Sequence, residues 1–302
     1  MVVQKVKAAD RQGIITKLIP PLKKKYGSSQ PKDDLGVLEA LLFSICLENN
    51  SQERAVEVYE SLHQSFHDLN EIRVSSISEI QAVFEGIDQP EWRAVRVREL
   101  LHYIFEKQYT FDMDFMLKKT LEQSEKILQQ VSSLSPFVKH YGLMYSFGAH
   151  LFPLDDSLHN ALQWLGLVEM GSNLADAEGQ IKAAVRKSET AQIFHLLHEL
   201  STDTHYVDIF AQVRDEGAEE ADLFSAHKRL AELFSDPASF RRKKPKAAAA
   251  KKVVEEEKPA AKSAAKKPAA TAAPVDKKVA APKKPATPPA AAVKKPVKKA
   301  KK

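Results

Sequence analysis

The chain has 302 residues, 28% of them charged, and its formal net charge of +5 conceals a sharp division. Residues 241–302 hold 21 Lys/Arg against 4 Asp/Glu, whereas the first 240 residues hold 24 basic and 36 acidic side chains. A single cysteine, Cys46, excludes an internal disulfide and any four-cysteine zinc or iron–sulfur site.

The start, Met1-Val2-Val3-Gln4-Lys5, lacks an apolar h-region, and the longest apolar stretch, Val37 to Leu47, is interrupted by Glu39. We therefore expect no signal peptide, no membrane span and an intracellular, soluble protein. Helical periodicity then runs along the chain. Ile14, Ile15, Leu18, Ile19 and Leu22 form a first stripe, which Pro20-Pro21 should end or kink. Val37, Leu38, Leu41, Leu42 and Ile45 make a nearly all-apolar second helix that belongs at the centre of a core.

Ser51 reads as the cap of a third helix with Ala55, Val58, Tyr59 and Leu62 inward. Ser75/Ser76 precede a fourth, with Ile77, Ile80 and Val83. A fifth carries Val95, Val97, Leu100, Leu101 and Ile104, with Arg93, Arg96 and Arg98 around it. Helices over 121–131, 137–147, 157–167, 173–185, 190–200 and 221–234 follow. Trp164, Leu165, Leu167, Phe194 and Leu197 are expected as core between two lobes. No segment alternates as a strand does, so the fold class is all-α.

Beyond Phe240 the composition changes to Lys, Ala and Pro, beginning Arg241-Arg242-Lys243-Lys244-Pro245. Proline fixes φ and removes a donor, and a segment without aromatic residues cannot bury a core, so residues 241–302 are expected to be a disordered tail. Dense lysine neutralises phosphates and releases counterions without reading sequence. A solubilising charge run or a localisation signal has the same composition. By composition the tail resembles those of linker histones and bacterial histone-like proteins. The body, residues 1–240, suits one large helical domain or two lobes sharing a cleft.

From Leu35 to about Leu200, the order of elements resembles the endonuclease III-like helix–hairpin–helix DNA glycosylases. The residues that carry it are Leu41-Leu42-Phe43-Ser44-Ile45-Cys46, the turn Phe84-Glu85-Gly86-Ile87, the basic helix at Arg96-Val97-Arg98, the hairpin Val131-Ser132-Ser133-Leu134-Ser135-Pro136-Phe137-Val138, and Pro153-Leu154-Asp155. The resemblance implies a two-lobed helical fold, double-stranded DNA as partner, a phosphate-gripping hairpin and a catalytic aspartate, here Asp155. It also implies base-excision repair, with the protein cytoplasmic and nucleoid-associated, or nuclear, and acting as a monomer.

The chain departs from that pattern in several places. Where the hairpin should have two glycines it has Ser133 and Ser135. Serine hydroxyls can donate to a phosphate, which makes Ser133, Ser135, Phe137 and Val138 the expected contact segment alongside Arg241, Arg242, Lys243 and Lys244. Ser135 as N-cap with Pro136 at the first helical position is the structural alternative. The resemblance puts the lyase lysine at Phe137, which cannot be a nucleophile, so no lyase is expected. Asp155 can stabilise a developing oxocarbenium ion or activate water, or it can simply cap a helix. Cys46 falls where relatives carry a polar wedge.

Two histidine sets, His63/His67 and His195/His198/Glu199 with His205 near, have spacings that could place imidazoles on one helix face, but no metal and no cofactor is expected. The acidic run Asp215 to Asp222 reads as a solvated loop, with docking of the tail as its alternative. Two function classes remain. One is a monofunctional DNA glycosylase; the other is an inactive glycosylase-fold DNA-binding protein whose affinity lies in the tail.

Overall fold

The computed structural model describes residues 7–27, 35–215 and 220–241. Among them there is no strand. The helices are α1 (Ala8–Tyr26), α2 (Val37–Leu47), α3 (Gln52–Ser65), α4 (Leu69–Val74), α5 (Ile77–Val83), α6 (Pro90–Gln108), α7 (Leu121–Gln129), α8 (Pro136–Phe147), α9 (Asp156–Trp164), α10 (Leu174–Ala184), α11 (Thr190–Thr202), α12 (Val207–Ala211) and α13 (Ala226–Ser235). No helix among the described residues is long and apolar enough to cross a membrane. Of the tail expected over residues 241–302, all but Arg241 lies outside the described residues, as do residues 216–219 of the acidic run.

The helices sort into two lobes. In the first, α2 packs on α3, α6 and α8, while α5 lies on α3 and α6, α4 on α6, and α7 on α8. Every residue of α2 except Glu39 is buried, which explains why it is apolar on all sides. A Cβ at Gly142 of α8 would stand 2.5 Å from Leu41 Cδ2, so glycine there lets α8 press onto α2. In the second lobe, α1 packs on α10, α11 and α13, and α9 on α11 and α12. The first helix of the chain thus completes the lobe built from the last helices.

Local signals set most helix starts. Ser51 Oγ accepts from the N–H of Arg54, and Ser76 forms a reciprocal capping box with Glu79. Of the two outcomes expected of Pro20-Pro21, an end to α1 does not occur; the helix runs on to Tyr26. The carbonyls that lose their donors belong to Thr16 and Lys17, both exposed, where water can serve them. Burial of Ile14, Ile15, Leu18 and Leu22 on the opposite face keeps the helix whole. The last helix begins at Ala226 rather than near residue 221, because Asp222 caps a 3₁₀ turn first. The short helices α4 and α12 carry too few apolar positions to show a period.

Trp164 also differs from expectation. Its ring faces Phe210 and Phe240 inside the second lobe, at 5.3 and 5.2 Å between centroids. Phe194, from the same expected set, does lie between the lobes, where it meets Phe137 and Tyr141 of α8.

Candidate functional site

Between the lobes lies a cleft of about 130 Å³. The turn after α2 contributes Glu48 and Asn49; the start of α6 contributes Asp88, Gln89, Arg93 and Arg96. Pro136 and Phe137 of α8, Leu154 to Asp156 and Leu174 complete it. Three non-glycine residues among those described have a positive φ, and two of them, Asn49 (60°) and Gln89 (52°), line this cleft. Backbone strain of that kind costs on the order of 1–3 kcal/mol per residue and persists where surrounding contacts enforce it.

For Asn49 those contacts centre on Asp155. Its carboxylate accepts from the N–H of Leu158 through Oδ1 and from the N–H of Asn49 through Oδ2, both at 2.8 Å. Asn49 answers by accepting from the N–H of Ser157 through Oδ1 at 3.1 Å. Two of the orphan donors at the start of α9 are thereby satisfied, one by its own cap and one by the other lobe. His198 of α11 brings Nε2 to 3.3 Å from Asp155 Oδ2, out of line for a good hydrogen bond, so the contact is electrostatic. The rings of Phe137 and Phe194 flank that imidazole.

The Asp155 side chain has no exposed surface. Burial alone would raise its pKa; the His198 contact and the two backbone donors outweigh this and hold the carboxyl below its usual value. Asp155 is therefore an anion at neutral pH.

Two arginines of α6, Arg93 and Arg96, are equally committed. Arg93, expected on the helix surface, is 2% exposed. Its guanidinium donates to the carbonyls of Ile45, Glu48 and Asp88, closing the C-terminus of α2. Burial lowers its pKa, opposed by the charge of Glu48. Arg96 forms an ion pair with Glu48. Arg93 and Arg96 thus spend their charge within the protein. Cys46 is not at the turn: it lies within α2, fully buried, and burial pushes its thiol up to about 12. The turn begins one residue after Leu47, a shift that apolar spacing alone does not reveal.

The hairpin between α7 and α8 takes the capping form. Ser135 Oγ accepts from the N–H of Val138 at 3.2 Å, and Pro136 is the first helical residue. That N–H is thus occupied by the cap. Ser133 Oγ is enclosed and has no hydrogen-bond partner. Phe137 and Val138 are 2% and 0% exposed, so neither side chain reaches an outer surface; Phe137 lines the cleft beside Asp155 from within. Arg241 is exposed and donates to the carbonyl of His205 at 3.4 Å, while Arg242, Lys243 and Lys244 lie outside the described residues.

The histidine sets separate. His63 pairs with Glu39 at 3.3 Å, whereas His67 lies beyond the end of α3 and shares no helix face with it. His205 pairs with Asp203. His198 carries a role in the site that its sequence context did not announce; its partner stands 43 positions earlier in the chain. No cluster of three or more potential metal ligands occurs among the described residues.

No family model matches this sequence, and no curated protein matches it. Solved structures do. A non-covalent endonuclease III–DNA complex aligns with a TM-score of 0.50 at 12% identity, covering 73% of this chain and 98% of that one. An endonuclease III trapped as a covalent DNA intermediate, in an estranged-adenine complex, aligns at 0.48 and 11% identity, over 62% and 84% of the two chains. A thermostable thymine-DNA glycosylase aligns at 0.47 and 13%, over 64% and 87%. At such identities the first likeness is one of fold: the body is an all-helical, endonuclease III-like helix–hairpin–helix structure.

Proposed function

We propose that this chain is a DNA-binding protein that holds duplex DNA without reading its sequence, as a monomer, and that Asp155 anchors the cleft rather than releasing a base. The enclosure of Asp155 carries this reading. A group that stabilises an oxocarbenium ion or activates water must present an oxygen to the reacting sugar. Asp155 has no exposed side-chain surface, and each oxygen already accepts from a backbone N–H. Freeing either one would leave Asn49 or Leu158 without its acceptor, at a cost of about 1–3 kcal/mol for a buried donor.

The partner follows from the fold and from charge. The endonuclease III structure that this body resembles is a DNA complex. In this chain the arginines beside the cleft are internally paired, so phosphate affinity falls to the lysines of residues 241–302.

One observation favours a monofunctional glycosylase instead. Asp155 is held ionised and lines the cleft together with Phe137. An anion in that place would stabilise developing positive charge on a sugar, the chemistry of base excision in repair. A panel of duplexes with damaged or mismatched bases, incubated with the full chain and with Asp155→Asn, separates the two. Asparagine retains an acceptor for the N–H of Leu158, and circular dichroism checks that the variant folds. We expect no base release from either protein. Release by the full chain that is lost in the variant would establish the enzyme and overturn the anchoring role as the whole account.

A further inference from the structure

Tyr109 is the third of the described non-glycine residues with a positive φ (57°). It follows α6 directly and caps it, its N–H donating to the carbonyl of Phe105 at 2.8 Å. Helices that end in this left-handed conformation usually do so on glycine or asparagine. Glycine would make the same cap without strain. Burial of the ring does not compensate, since Tyr109 is 79% exposed. A large side chain held on a strained backbone and left in water points to a contact outside the fold. The cleft is not its place. Arg96 is the last residue of α6 that lines the cleft, and Tyr109 stands about 20 Å further along the helix.

The neighbours of Tyr109 are rings and cations. Phe105 lies edge to face with it at 6.2 Å between centroids and is stacked on Phe111 at 5.4 Å. The guanidinium of Arg73, from α4, covers the Phe105 ring at 4.2 Å. Further back on α6, His102 and Arg98 fall on the same helix face as Phe105 and Tyr109. All of these neighbours are half-buried. Arg98, unlike Arg93 and Arg96, has no carboxylate partner among the described residues, and Arg73 donates to the neutral amide of Asn70. The acids of this stretch, Glu99 and Glu106, fall one position round the helix. Rings interleaved with guanidiniums that lack carboxylate partners suit a chain of bases and phosphates. A duplex would offer such a face only its phosphates, because its bases are stacked on one another, whereas a single strand offers both.

We propose that Tyr109, with Phe105, Phe111, Arg73 and Arg98, forms a platform for single-stranded DNA at the end of α6 remote from the cleft. The proposal rests on the DNA-binding reading above and adds a preference that the lysine-rich segment lacks. Lysines grip phosphates whether or not bases are present, while the Tyr109 ring engages only a base.

The full chain is titrated with three labelled DNAs of equal length: a single strand of thymidines, an abasic single strand and a paired duplex. Anisotropy of the label reads binding. We expect the thymidine strand to bind about tenfold more tightly than the abasic one, the worth of about one base stack. Tyr109→Gly keeps the cap and removes both ring and strain, so its urea midpoint should equal or exceed that of the full chain. The same variant should lose the advantage of the thymidine strand and bind the abasic strand unchanged, whereas Tyr109→Phe should keep the advantage. Equal affinity of the full chain for both single strands, or an advantage that survives Tyr109→Gly, overturns the platform while DNA binding stands. A lowered urea midpoint in Tyr109→Gly would show that the ring serves the fold, and overturns it too. Sedimentation that finds dimers of the full chain but monomers of Tyr109→Gly would assign the face to a second copy instead. No anisotropy change with any of the three DNAs removes the DNA-binding reading and the platform together.

Discussion

In the body, Arg93 donates to three carbonyls, Arg96 faces Glu48, Arg54 faces Glu57 and Arg11 lies near Glu169. In residues 241–302, 21 basic side chains have only four acidic ones to share. The same charge therefore does different work in the two regions. A guanidinium held by carbonyls and carboxylates builds a cleft but releases no counterions from DNA. A lysine without a nearby acid can release them, but it shapes nothing. On the function proposed above, geometry and affinity are carried by separate parts of the chain.

The largest test removes the affinity region. Truncation after Arg241 leaves Phe240 against Trp164 and should lower duplex affinity at least tenfold. The slope of log affinity against log salt should fall toward zero, since each phosphate contact contributes roughly 0.9 to it. Nitrocellulose filter binding across a salt series reads both quantities. An unchanged slope would place the phosphate contacts on the body and collapse the distinction.

Breaking the geometry region should show in stability. Arg93→Met strips the carbonyls of Ile45, Glu48 and Asp88 of their donor, the first of them buried. We expect a loss of about 3–5 kcal/mol in urea unfolding, as for other broken buried charges. DNA affinity at temperatures where the variant remains folded should change little. A strong affinity loss in the folded variant would show that Arg93 also serves DNA.

A smaller effect sharpens the role of Asp155. Its folded pKa lies below its unfolded value, so its contribution to stability is fully present above the ordinary carboxylate range, about 3.9. That contribution is lost as pH falls through the still lower folded value. The stability gap between the full chain and Asp155→Asn should thus be constant from pH 7 to 5 and narrow only below about pH 4. Urea midpoints across that range measure it. A gap that narrows near neutrality would mean that the carboxyl is not held as an anion.

Much of the fold was readable because its signals are local. Ser51, Ser76 and Asp155 each cap an N–H three residues on, and burial of α2 on every side is written in its apolar composition. Pro20-Pro21 did not end α1 because the penalty of proline depends on which carbonyls it orphans, and these face water. The site was readable only in part. Asp155 and Phe137 could be placed by their order in the chain, whereas Asn49, Arg93 and His198 could not.

The sequence by itself determined the helical class, the separation of charge, the absence of a cysteine-held cluster and most helix starts, since each depends on composition or on residues within a turn of one another. Tertiary structure alone decided that α1 joins the last helices, that Arg93 closes α2, and that Asp155 is shared between Asn49, 106 positions away, and His198. Those choices depend on which surfaces exclude water together. No short-range pattern encodes that, and it is what buries the carboxylate of Asp155.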